Sequence, residues 1–252
     1  VGSEMCIRDS LYLVQWRKHL ENIFSYTSYA SDCGFKGIIN TSWSTSGTYG
    51  YIYDDKNEVI AIQPVREVYP QNGFDMLMTA YSNALSDNPL TPDKFLESYC
   101  HTRLGLGPQE ETEVVKDYFN MTQSPVYSFQ GDIARIDEEL RKCTALRERL
   151  DMVRFSKDAA DVARHLRLML DIRINYLEFK RVDLQIESNG FSVEDSRAAL
   201  AQLKSIDKEC GGLRKEFIRL NGHYLKDAGE SFNEWTYRGK IKERIKVLEN
   251  IR

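Results

Sequence analysis

The 252-residue chain is 42% hydrophobic and 29% charged, the balance of an ordinary globular protein with room for one large domain or two small ones. Its net charge of −4 gives no basic field for nucleic acid or an anionic membrane surface. No apolar run is long enough to span a bilayer. Five cysteines (Cys6, Cys33, Cys100, Cys143, Cys210) form no C-x-x-C pair, and the histidines His19, His101, His165 and His223 cluster with none of them. No metal site and no cofactor is therefore expected. Cys143 and Cys210 fall on apolar helical stripes, where a buried thiol belongs. Cysteine usage leaves the compartment open between cytoplasm and periplasm or exterior.

Val1 to Ser10 resembles the translated mosaic end of a transposase adapter used in sequencing libraries, since Glu4 to Ser10 back-translates into it. These ten residues are set aside from the fold, with the expectation that the natural reading frame continues upstream of residue 11. From Leu11 to Ala30, apolar residues at Leu13, Trp16, Leu20, Ile23 and Phe24 alternate with charges at helical spacing. Asp32-Cys33-Gly34 ends this helix, with Gly34 as a left-handed cap. Gly37 to Asn40 is a short β-branched run and reads as a buried strand. Tyr49 to Gln63 alternates in places, which suits a hairpin or a loop excursion. Phe74, Leu77, Met78, Tyr81 and Leu85 then predict a second helix, with Asn72 as its N-cap.

Asn88-Pro89-Leu90-Thr91-Pro92 is a breaker cluster and marks a boundary between residues 88 and 89. Beyond it the chain reads as helices throughout. Thr91-Pro92-Asp93 opens one with proline at its first position, Gly105-Leu106-Gly107-Pro108 stops it, and Val114, Val115, Tyr118 and Phe119 mark the next. Longer stripes follow at Ile133, Ile136, Leu140, Cys143 and Leu150, then at Val162, Leu166, Met169, Leu170 and Leu177. The cleanest runs through Ala199, Leu203, Ile206, Cys210, Leu213, Phe217 and Leu220, and a last one through Trp235, Ile241, Ile245 and Leu248. A helix from Val193 to Leu225 would be about 50 Å long. Short turns near residues 151–156 and 188–190 make neighbouring helices antiparallel, so a bundle within the chain is favoured over a dimerising coiled coil.

The chemistry-bearing stretch is Asn40-Thr41-Ser42-Trp43-Ser44-Thr45-Ser46-Gly47-Thr48-Tyr49. Hydroxyls around one indole suit a loop that hydrogen-bonds a polyhydroxylated ligand and stacks on its apolar face. The residue types equally admit a core tryptophan beneath a polar loop. Asp54, Asp55 and Glu58 lie in a turn-like, charged stretch, which is not where an acid/base pair is built. Asn40-Thr41-Ser42 and Asn120-Met121-Thr122 fit the N-glycosylation pattern, which is common by chance.

Gly37-Ile38-Ile39-Asn40-Thr41-Ser42-Trp43, continued by Tyr69-Pro70 and Gly73-Phe74, resembles the end of the catalytic domain of glycoside hydrolase family 20, the β-N-acetylhexosaminidases. The resemblance covers roughly residues 16–86, and Ser44-Thr45-Ser46 stand where related sequences often carry an acidic residue. It implies that Trp43 lines a sugar pocket, with Thr41, Ser42 and Tyr49 as further contacts. It implies a carbohydrate substrate ending in a β-linked N-acetylhexosamine. The mechanism would be substrate-assisted retention, in which an Asp orients the acetamido group and the adjacent Glu is the acid. Asp137-Glu138 lies inside a helical period and Glu194-Asp195 is in reverse order at a helix start, so no catalytic residue is expected in this chain.

The fold class expected is an α-rich α/β fragment: the last β/α unit of a (β/α)8 barrel over residues 11–88, then an α-helical domain over 89–252. Two other readings stay open. One is a non-enzymatic helical interaction module. The other is a glycosidase of another barrel family.

Overall fold

The structure, a computed structural model, describes residues 16–38, 75–121, 132–189, 192–222 and 238–251. Among them are eight helices: α1 (Trp16–Asp32), α2 (Asp75–Ala84), α3 (Pro92–Thr102), α4 (Gln109–Asn120), α5 (Ile133–Asp151), α6 (Ala160–Asn189), α7 (Val193–Asn221) and α8 (Arg238–Glu249). The first four form a cluster of short helices. The last four form a long bundle joined to that cluster through α4 and α5.

Local sequence explains each helix boundary that can be read. Helix α1 buries Trp16, His19, Leu20, Ile23, Thr27 and Ala30 at steps of three and four. It ends in a Schellman cap: Phe35 N–H donates to Ala30 O at 3.0 Å and Gly34 N–H to Ser31 O at 2.9 Å, with Gly34 at φ +70°. Helix α3 starts with Pro92 at its first position, and the Thr91 side chain accepts from Lys94 N–H. Asp132 and Ser192 cap α5 and α7 in the same way, accepting from Arg135 N–H and Asp195 N–H.

Helix α2 presents a different face from the one its sequence suggests. Met76, Leu77, Ala80 and Ala84 are buried, whereas Met78 and Leu85 are 58% and 53% exposed. The two alanines let α2 lie close against α1, and that small-residue face takes the core position.

The short-helix cluster is held by aromatic rings. Phe119 of α4 meets Trp16 of α1, Tyr99 of α3 and its neighbour Tyr118 edge-on, with centroids 5.7, 6.1 and 5.4 Å apart. Such pairs each contribute about 0.5–1.5 kcal/mol beyond area burial. The loop after α3 then ties the cluster to the bundle. Ser156 N–H donates to Leu104 O at 3.0 Å. Gly105, at φ +69°, approaches so closely that a Cβ there would lie 2.5 Å from Ser156 Cβ.

The bundle's register is written in charge. Asp137 of α5 pairs with Arg181 of α6 at 2.7 Å, and Arg147 pairs with Asp171 at 2.6 Å. Asp151 pairs with Arg167 at 3.1 Å. Numbers rise along α5 as they fall along α6, so the pair is an antiparallel hairpin. Helix α7 runs back along α6, with Asn175 Nδ2 donating to Ile206 O at 3.2 Å in the buried seam. Helix α8 lies across both: Arg244 reaches Asp183 of α6, and Arg238 reaches Asp207 of α7. One apolar core runs from Trp16 to Leu248, across the breaker at 88–92.

The β/α barrel expectation is overturned. Every regular element among the described residues is a helix. Gly37 is exposed and Ile38 half-buried, and neither is in a strand; Ile38 O accepts from the Tyr81 hydroxyl at 2.8 Å rather than from a sheet partner. A strand needs a neighbour to take its backbone groups, and among the described residues none is present. Ile39 and Asn40, the rest of the expected strand, lie outside the described residues.

Candidate functional site

Thr41, Ser42, Trp43 and Tyr49, the sugar-contacting residues expected from sequence, all lie outside the described residues, as do Asp54, Asp55 and Glu58. The structure does place the two points from which that stretch departs and to which it returns. At the first, the Tyr81 hydroxyl holds Ile38 O. At the second, Asp75 accepts from Tyr99 Oη at 2.9 Å and pairs with Arg103 Nη2 at 2.6 Å. Burial, and after it the Asp75 charge, pushes the Tyr99 hydroxyl far above its usual titration range. Tyr99 therefore stays protonated and acts as a donor.

Beside Ile38 lies an open groove of about 710 Å3, between the C-terminal turns of α1 and the loop after α2. That volume falls within the range of ligand pockets, roughly 300–1,000 Å3. Phe24, Phe35, Leu85 and Leu90 give it apolar walls, and Thr27 and Ser31 add hydroxyls. Its walls are braced. Phe24 packs on Phe95 with centroids 5.7 Å apart, and Asn83 Oδ1 accepts from Leu90 N–H at 3.0 Å. Sequence reading missed this groove because its walls come from three separate stretches. The signal that could have found it is charge: no charged residue occurs from Asn22 to Ser31 or from Met76 to Ser86.

The remaining titratable groups have structural roles. Asp137 and Glu138, the consecutive Asp-Glu pair, sit on α5 and bind Arg181 and Lys142, both at 2.7 Å. The hydrogen bond from Lys142 holds the Glu138 carboxyl below its usual range, the reverse of what a general acid needs. His101 Nδ1 lies 2.6 Å from Leu106 O and His165 Nδ1 lies 2.7 Å from Asp161 O, each tying its ring to nearby backbone. Burial lowers His19 to about 4 and pushes the Cys100 thiol up to about 12, so His19 stays neutral and Cys100 stays a thiol at neutral pH. Cys143 and Cys210 are buried free thiols, as their stripes suggested.

Among the described residues, no three His, Cys, Asp or Glu side chains converge as a metal-ligand set. No helix among them is long and apolar enough to cross a membrane. Comparison of the chain with protein-family models, with curated proteins and with solved structures finds no match.

Proposed function

We propose that this chain is the non-catalytic, helical part of a protein that hydrolyses terminal β-linked N-acetylhexosamine, and that Trp43, Thr41, Ser42 and Tyr49 contact the sugar. The observation that carries the reading is the double anchor around those residues. Ile38 is fixed by Tyr81 and Asp75 by Tyr99 and Arg103, so the stretch between them is delivered from two rigid points. Binding groups on anchored termini lose less entropy on meeting a ligand. The sugar class rests on the resemblance of Gly37 to Trp43 to the hexosaminidases. The acid comes from elsewhere, because Asp137 and Glu138 are committed to ion pairs on α5.

The test is hydrolysis of a panel of aryl glycosides by the product of the complete reading frame and by the 252-residue chain. The complete protein should cleave the N-acetyl-β-glucosaminide and spare the plain β-glucoside, and the 252-residue chain should cleave neither. Trp43→Ala in the complete protein should lower kcat/KM about tenfold, the scale of one lost aromatic contact of 1–2 kcal/mol. Cleavage of none of the glycosides by the complete protein sinks the reading.

A non-enzymatic interaction module is the second reading. It is favoured by the exposed side chains of Phe35, Met78 and Leu85 on one side of the short-helix cluster.

A further inference from the structure

We infer that the uncharged face of α1 and α2 joins two copies of this chain. Charge is what singles it out. In a chain that is 29% charged, ten consecutive residues of α1 (Asn22 to Ser31) and eleven running through α2 (Met76 to Ser86) carry no Asp, Glu, Lys, Arg or His. On this face Phe35 is 53%, Met78 58% and Leu85 53% exposed. Phe35 and Leu85 line the same groove. Met78 lies seven residues before Leu85, hence on the same stripe of α2, with Tyr81 between them holding Ile38 O. Depletion of charge with enrichment of aromatic residues and methionine is the composition of an interface core.

Symmetry selects the partner. A two-fold contact sets a patch against itself, so any charge on the axis meets its own like. This face passes that condition; the flanks of α5 to α8, laced with ion pairs, do not. Phe35 also stands at the rim of its own groove of about 710 Å3. A two-fold rotation brings each Phe35 to the other copy's groove, the knob-and-hole geometry of an isologous dimer. The face is held rigid by the cap at Gly34, the Tyr81 bond to Ile38 and the Asn83 bond to Leu90, so little ordering is needed on contact. Unlike the proposed activity, this inference draws on no resemblance.

Sedimentation velocity on the full chain, from low micromolar to submillimolar concentration, tests it. A monomer–dimer equilibrium is expected. Phe35→Asp and Leu85→Glu should each weaken it at least about tenfold, as hot-spot losses do. Met152→Glu, at a side chain 79% exposed elsewhere, should leave it unchanged. Hydrogen exchange of the unaltered chain gives a second readout that needs no variant: residues 35–38 and 84–90 should gain protection as concentration rises. A monomer at every concentration overturns the inference. So does self-association indifferent to both variants, or protection of these residues that does not vary with concentration, which would mean that the chain covers the face itself.

Discussion

The short-helix cluster α1–α4 and the long bundle α5–α8 solve the same packing problem with opposite means. In the cluster, Phe119 gathers Trp16, Tyr99 and Tyr118 edge-on, and the outer side of α1 and α2 is left without charge. In the bundle, aliphatic seams are fixed in register by ion pairs, one of which is nearly enclosed: Arg173 and Glu139 are 3% and 8% exposed and lie 3.7 Å apart. Arg173 also hydrogen-bonds Cys143. Aromatic packing fills volume without specifying a sliding register. A long hairpin can slip by a turn, and paired charges make each slip costly. Short helices held by turns have no such freedom, so their surface can be spared charge and used for contact.

Removing the hub of the cluster is the sharpest way to break this comparison. Phe119→Ala should cost about 3–5 kcal/mol, the range for a buried phenylalanine that leaves a cavity. In urea unfolding followed by far-ultraviolet circular dichroism, the loss should appear as an early transition of the cluster. A single unshifted transition would show that the ring cluster does not hold α1 to α4.

In the bundle, Glu139→Ala leaves the Arg173 guanidinium enclosed without its carboxylate, and breaking a buried pair from one side costs about 3–5 kcal/mol. Cys143 remains as a partner for Arg173, so the lower end, about 3 kcal/mol, is expected. Adding Arg173→Met should restore most of the loss, because no charge then stays buried. If the double variant is as unstable as the single one, the pair contributes attraction rather than avoided desolvation.

Acid should act on the two regions with different sign. Burial, and after it Lys18, lowers His19 in α1 to about 4 from 6.5. As pH falls from 6.5 towards 4, the unfolded chain takes up a proton that the folded chain refuses. Stability present above pH 6.5 is therefore lost across that window, by at most about 3 kcal/mol. In α6 the Glu178 carboxyl is raised by burial and then by Glu209. Its protonation is easier in the folded state, so it adds stability as pH falls. Hydrogen exchange at pH 7 and pH 5 should show α1 opening first, and His19→Gln should flatten that change. Equal loosening of α1 and α6 would remove the assigned cause.

Local chemistry made much of this fold legible. The Gly34 cap, Pro92 at the first position of α3 and the stripes of α4 to α8 follow from interactions within a few residues of one another. Those positions behave in the tertiary structure as they would in isolation. The run from Gly37 to Ile38 misled because a short apolar stretch carries no period that separates a strand from a packed loop. Which groups take its backbone bonds is settled at a distance, here by Tyr81, forty-three residues on. The same limit explains α2. Its sequence offers two apolar faces, and only the approach of α1 chose Ala80 and Ala84 over Met78 and Leu85. The candidate residues Thr41, Ser42, Trp43 and Tyr49 were found by residue type alone, whereas the groove beside Ile38 was not, since no single stretch contains it.

By itself, then, the sequence determined where most helices start and stop, which cysteines are buried and where charge is withheld. Tertiary structure decided the all-helical architecture of the described residues, the antiparallel register that sets Arg173 against Glu139, and which face of α2 meets water. Helix periods and caps arise from neighbours along the chain. Pairing, register and exposure arise from residues that only folding brings together.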